Sequence, residues 1–239
     1  MPQRLAETLI RKHEGNSLLT PGVRQALIAL PVVLRNVKAG ALVVREGIRP
    51  SGAIVIIDGC LFRHKIVADG KRQILSFQIA GDMPDLQSLF LKQMDHSITA
   101  LDDATIGVIP HVAVLSLLEK SSDAAQLLWR DTLLDAAIFR EWIANTGRRQ
   151  AVSRVAHLIC ELVRRGETVG LSQNKTYHFD GTQTHYADAV GLSLVHVNRA
   201  LKKLRADGLI EWDRPLIRVL DWVGLTEVGD FDDAYLEAR

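Results

Sequence analysis

The chain has only two cysteines in 239 residues, Cys60 and Cys160, and neither sits in a Cys-x-x-Cys or histidine-rich context. That scarcity argues against a disulfide framework and against a zinc site, so both are expected to be buried small hydrophobes. Long apolar runs are missing as well. The densest, Ala53 to Ile57, is strand-sized and far short of a membrane span, and the opening segment MPQRLAETLIRKHEG lacks the apolar core of a secretory signal. A cytoplasmic protein without a membrane partner is the expectation. No phosphate loop, no metal-ligand spacing and no set of nucleophile, base and orienter can be assembled, so no enzyme, metal or cofactor is expected.

What is present is an ordinary globular composition, 47% apolar and 24% charged, at a length that suits two domains. The net charge is only +1, but it is unevenly spread. Residues 147–218 carry 12 Lys+Arg against 7 Asp+Glu, while residues 219–239 carry 1 against 6. A local basic excess is what phosphate binding needs, although plain surfaces reach the same value.

Inside the basic region lies Thr182 to Trp212, TQTHYADAVGLSLVHVNRALKKLRADGLIEW. A short helical segment ending at Val190 meets a turn at Gly191, and Ser193 then offers an oxygen to cap a second helix running to about Ala206. Val197, Leu201 and Leu204 give that helix one buried face, and Asp207-Gly208 stops it. The opposite face carries Val195, Arg199 and Lys202, flanked by His196, Asn198 and Lys203. Arginine suits guanine edges, asparagine and histidine suit base edges or phosphates, and lysines suit the backbone. Val195 fits a thymine methyl in the major groove; the alternative is a singly exposed apolar residue, which is common. On this reading Thr182, Gln183 and Thr184 position the first helix on phosphates, and Ser193 and His196 hold the second at its entry. Val195, Asn198 and Arg199 read bases, with Lys202 and Lys203 on the backbone.

Upstream the pattern differs. Residues 3–30 read as short helices, with Leu5, Leu9 and Ile10 on one face. From Val32 to Pro110, short apolar segments alternate with turns, and strands are expected at Ala41–Arg45, Ala53–Ile57, Leu61–Val67, Gln73–Ile79, Ser97–Ala100 and Thr105–Ile109. Regular spacing of this kind suggests an antiparallel barrel or roll. A long helical stretch follows, capped near Ser121-Ser122-Asp123 and running through Ala124–Asn145, with Gly147 breaking the pattern before a hinge at Arg148-Arg149. Its apolar bulk, including Leu127, Leu134, Ile138, Trp129, Phe139 and Trp142, exceeds what one small roll can cover. Leu127, Leu134, Ile138 and Trp142 are therefore expected on a dimer interface, with a purely intramolecular core helix as the alternative. After the motif, Ile210–Trp212 and Leu216–Leu220 read as a wing hairpin, and the acidic tail either packs or is mobile.

The frame Gly191, Ser193, Val197, Arg199, Leu201, Leu204, Gly208, Leu209 and Ile210 resembles the winged helix-turn-helix of the CRP/FNR transcription regulators. The upstream series GALVVREG, GAIVIIDGCLFRHK and DGKRQILSFQIAGDMPDL is similar to the cyclic-nucleotide-binding β-roll of the same family. The resemblance implies an α+β chain of three parts: residues 1–122 a β-roll sensor, 123–147 a dimerisation helix and hinge, and 148–239 a winged helix-turn-helix. It implies a homodimer on near-palindromic double-stranded DNA, with RNA polymerase as a further partner and a small-molecule effector still to be identified.

Departures from the family pattern carry information. Leu194 and Val195 stand where an Arg-Glu pair is usual, which implies a different half-site. The effector pocket maps to Asp85, Leu86, His96 and Ser97, where cyclic-nucleotide binders have Gly-Glu and Arg-Ser pairs. Loss of the arginine removes a permanent phosphate partner that histidine does not replace at neutral pH, which argues against cyclic AMP. Asp85 and Gln87 stand where a haem-binding member has its ligands, and two cysteines are too few for an iron-sulfur cluster. The competing reading is a ligand-binding module whose winged helix docks a protein partner.

Overall fold

The structure is a computed structural model and describes residues 2–237, with side chains from residue 7 onward. Leu5, expected on the inner face of the first helix, lies outside the described side chains. The chain divides into two compact units, residues 1–65 with 77–133 and residues 66–76 with 134–239.

Two short helices open the chain, α1 (Pro2–Lys12) and α2 (Pro21–Ile28). Thr20 caps α2 by accepting from the Val23 N–H, and Pro21 occupies the first turn, where a missing N–H costs nothing. Seven strands follow: β1 (Val33–Val37), β2 (Leu42–Val44), β3 (Gly52–Asp58), β4 (Leu61–Ile66), β5 (Arg72–Gln78), β6 (Ser97–Ala100) and β7 (Ala104–Pro110). They form two antiparallel sheets, in the orders β1-β7-β3 and β2-β6-β4-β5. β1 is absent from the strands expected above. Its residues VLRNV are exposed or half-buried, so no apolar alternation marks it, and pairing with β7 from Val33↔Val108 to Val37↔Ala104 holds it in place.

Strand β3 organises this unit. Successive side chains on a strand point to opposite faces, so an apolar run buries both. Ala53, Val55 and Ile57 join Leu9, Val23 and Leu27 from α1 and α2 in one core, while Ile54 and Ile56 join Leu61, Ile98 and Ile106 in a second. Gly59 closes the turn into β4 at φ +86°, where a Cβ would come within 2.7 Å of Asp102 Oδ1.

Helix α3 (His111–Lys120) leads to α4 (Ser122–Arg148), capped by Ser121, whose hydroxyl accepts from the Ala124 N–H. Gly147 lies one residue inside the end of α4 at Arg148, and Arg149-Gln150 separate it from the next helix. One expectation about α4 needs correction: the apolar set chosen for a partner subunit is largely covered within the chain, with Leu127, Ile138 and Trp142 buried and Leu134 half-buried. Leu127 belongs to the helix-side core with Leu9 and Val55, and the Trp142 indole N–H donates to both Glu161 oxygens at 3.1 and 3.0 Å. Asp131, on the same face, takes Lys12 at 3.2 Å and His13 at 3.4 Å. Burial works against the Lys12 charge, but Asp131 and Asp82 outweigh it and push its pKa up to about 12.

The second unit continues with α5 (Ala151–Thr168), β8 (Ser172–Gln173), β9 (Thr176–His178), α6 (Gln183–Val190), α7 (Leu194–Ala206), β10 (Ile210–Asp213), β11 (Leu216–Val219) and α8 (Trp222–Gly229). A 3₁₀ turn over Asp233–Leu236 follows. The β10–β11 hairpin is the expected wing, extended by β9 and β8 into a four-stranded sheet. Val155, Ile159, Leu162 and Val163 of α5 are buried, as their periodicity requires. Helix α8 is not among the expected elements: its eight residues are too few for periodicity to show, and its start is set by Asp221 accepting from the Gly224 N–H. Both cysteines are free and buried, and burial pushes the Cys160 thiol well above its usual range.

Candidate nucleic-acid interface

Helix α6 begins at a reciprocal cap. The Thr182 hydroxyl accepts from the His185 N–H, and His185 Nδ1 accepts from the Thr182 N–H at 3.1 Å. That geometry needs an unprotonated Nδ1. Burial, aided by Arg72 and Arg214 and opposed by Asp188, lowers the His185 pKa and keeps the ring neutral. At the other end Gly191 takes the left-handed conformation, φ +63°, that lets the chain turn sharply into α7. Tyr186, fully buried, fixes α6 against the wing by ring contacts of 5.1 Å to Phe179 and 4.9 Å to Trp212.

Ser193 caps α7 by accepting from the His196 N–H, and its oxygen also meets His196 Nδ1 at 2.7 Å. Val197, Ala200, Leu201 and Leu204 are buried. The opposite face is open: Val195 is 56% exposed, and His196, Asn198, Arg199, Lys202 and Lys203 are all exposed. Among the described residues Arg199 and Lys202 make no ion pair, whereas Lys203 is held by Asp207 at 2.9 Å. Thr184 is exposed, and Thr182 and Gln183 are half-buried at the start of α6. The residues singled out on α7 are thus all exposed, and among the described residues two of their cations are unpaired, near Val195 and Asn198 in sequence.

Two parts of the chain are similar to known protein families. Residues 34–121 match the model of a cyclic nucleotide-binding domain, and residues 153–228 match that of a Crp-like helix-turn-helix domain. The chain belongs to the CRP/FNR family of transcription regulators. The transcriptional activator protein FnrL of Cereibacter sphaeroides is 28% identical over 213 residues, covering 84% of this chain and 83% of its own. A probable transcriptional activator of Rhizobium leguminosarum bv. viciae is 26% identical over 176 residues, 74% of this chain and 72% of its own. In fold, the FixK2 structure from Bradyrhizobium japonicum superimposes with a TM-score of 0.76 at 21% identity, covering 83% of this chain and 98% of that one.

The four residues expected at an effector pocket are each held by a different neighbour. Asp85 is fully buried, and its Oδ1 accepts from the Ile54 N–H at 2.7 Å. Burial raises its pKa to about 7 despite the Arg63 guanidinium nearby. Leu86 sits in the helix-side core with Leu9 and Val23. His96 is buried with Nδ1 at 2.9 Å from Asp95, and the Ser97 hydroxyl accepts from the Glu46 N–H at 3.1 Å.

Sequence reasoning overlooked Arg72 and Gln73. Arg72 pairs with Asp188 on α6 at 2.8 Å, and the Gln73 amide donates to the Ala189 carbonyl at 3.2 Å. No sequence signal marks them, since their partners lie more than a hundred residues away. Among the described residues no helix is long and apolar enough to cross a membrane, and no group of three or more His, Cys, Asp or Glu is placed to hold a metal.

Proposed function

We propose that the protein is a homodimeric, sequence-specific regulator that lays α7 in the major groove of near-palindromic DNA. The observation that carries this is the exposed face of α7, where Arg199 and Lys202 stand unpaired beside Val195 and Asn198. An arginine there suits a guanine edge, Val195 a thymine methyl, and Lys202 a phosphate. Thr182, Gln183, Thr184, Ser193 and His196 sit at the two helix starts, where N–H groups and hydroxyls favour phosphates. Lys203, tied to Asp207, adds less.

Dimerisation on this reading uses a different stripe of α4 from the one apolar content alone suggests. Trp129, Leu133, Ala136, Arg140 and Ile143 recur at the alternating four and three spacing of a coiled-coil seam. Trp129, Leu133 and Ile143 are 66, 51 and 71% exposed. Two copies of that seam would close on each other and set two α7 helices one helical turn of DNA apart. RNA polymerase as a further partner, a cytoplasmic setting, and an effector other than cyclic AMP near Asp85 and His96 complete the proposal.

Selection of bound duplexes from a random DNA pool by the purified protein, without added ligand, tests it. A near-palindrome with guanine and thymine in each half-site supports the reading. Failure to enrich any sequence, with and without a cell metabolite extract, rejects it and favours a winged helix that docks protein.

A further inference from the structure

The residues between α4 and α5 are only Arg149 and Gln150, so the angle between the two helices rests on very few backbone dihedrals. Such a junction is floppy unless side chains brace it. Here α4 and α5 are tied directly, by Trp142 to Glu161 and by the Asn145 amide to the Arg154 carbonyl at 3.3 Å, and a further brace comes from the far end of the chain. After α8, Asp230 turns the backbone at φ +46° and presents both its carboxylate and its carbonyl to Arg149, at 3.0 to 3.1 Å. The same guanidinium reaches back to Glu141 on α4 at 2.7 Å. One arginine thus joins α4, the junction and the C-terminal segment.

A second set of contacts lies further along. The Tyr235 hydroxyl donates to Glu161 Oε2 at 2.9 Å, and Glu161, fully buried on α5, also takes Trp142 of α4 and Arg165. Phe231 packs edge-on against His157 at 5.1 Å, His157 Nδ1 donates to the Gly229 carbonyl, and Arg164 binds Asp233 at 2.6 Å. Gly229 itself lies so close to α5 that a Cβ would fall 2.9 Å from the His157 nitrogen. The helix-turn-helix match ends at residue 228, immediately before this segment.

We infer that residues 229–235 are a strap that fixes the angle between α4 and α5 and thereby sets which spacing between DNA half-sites the protein accepts. The inference rests on the dimeric DNA-binding reading above. In a two-fold dimer the α4 seam is the common axis, so the α4–α5 angle determines the separation of the two α7 helices. Half-sites one helical turn apart leave little tolerance for a wrong separation. Asp230 and Tyr235 are positioning residues and touch no DNA in this scheme. They act through Arg149 and Glu161.

The test uses the full chain with Asp230→Asn, which tolerates the left-handed backbone, combined with Tyr235→Phe; Tyr235→Phe alone serves if the pair folds poorly. Binding is measured on the selected palindrome, on versions with one base pair added to or removed from the spacer, and on a single half-site. The wild type is expected to prefer the native spacing by roughly tenfold or more, and the variants to lose most of that preference while keeping half-site affinity. A uniform loss of affinity with the spacing preference intact would mark a merely structural role and overturn the inference. Spin labels at Ala144→Cys and Ala206→Cys, in labelled protein diluted with unlabelled copies, give a readout without DNA; both native cysteines are buried. The variants should broaden the wild-type distance distribution, and an unchanged width overturns the strap. If the wild type binds no duplex, the dimeric DNA-binding reading fails separately, and the label widths still decide the strap.

Discussion

Helices α4 and α7 solve the same problem with opposite outer faces. Each buries one stripe of apolar residues within its own chain and leaves another stripe open. On α7 the open stripe holds unpaired cations, an asparagine and one valine, a surface that a polyanion satisfies. On α4 it holds Trp129, Leu133 and Ile143, which water solvates poorly and a second copy would cover. The difference teaches that function is carried by what a helix leaves exposed, and that apolar content alone does not say which stripe that is.

The sharpest way to separate the two stripes of α4 is to damage each in turn. Leu127→Ala, on the buried stripe, should cost about 2–5 kcal/mol in denaturant unfolding through the cavity it leaves. Were Leu127 instead a dimer contact, the loss would appear in the dimer constant with little cavity cost. Ile143→Asp, on the open stripe, should leave the protomer fold intact and weaken the dimer by about 1.5–3 kcal/mol for each side chain no longer buried. Sedimentation over a range of concentrations reads this, and an unchanged dimer constant removes the seam.

On α7 the contrast is between reading and holding. Arg199→Ala should remove about 1–3 kcal/mol of discrimination at one guanine per half-site, measured against duplexes substituted at that base. Lys202→Ala should weaken all sequences alike and reduce the salt slope by about 2, one for each copy in the dimer. A base-specific effect for the lysine, or none at any guanine for the arginine, would exchange or erase the two roles.

The smallest expected effect concerns the start of α6. His185 and His157 both have pKa values below the ordinary 6.5, with burial the first cause in each case. The unfolded chain therefore takes up protons that the folded state refuses, so their contribution to stability is complete above 6.5 and is lost as pH falls from 6.5 toward the folded values. Asp85, its carboxyl raised to about 7, works in the opposite direction over the same range, so the measurement is the difference between wild type and His185→Gln in thermal unfolding from pH 8 to 5.5. The wild type should lose more stability than the variant as pH falls; two parallel curves would mean that the cap does not titrate.

The sequence by itself determined α7 and its surroundings. A capping serine, a left-handed glycine and the Val197, Leu201 and Leu204 period act within a few residues of one another, so the local chain suffices to say which face is buried. The alternating roll was legible for the same reason, down to the bounds of β6, since turns and period-two apolar runs are local signals. Only the tertiary structure decided the rest. α4 has more apolar residues than one face needs, and whether Leu127 or Trp129 points inward depends on where α1 and β3 stand. β1 has no apolar alternation and exists through its partner. The six acidic residues of the tail were visible as charge, but Asp230 and Asp233 find Arg149 and Arg164 only after α8 has turned the chain back on α5. Contacts between residues far apart in sequence are paid for by the fold as a whole, and no short window of residues contains them.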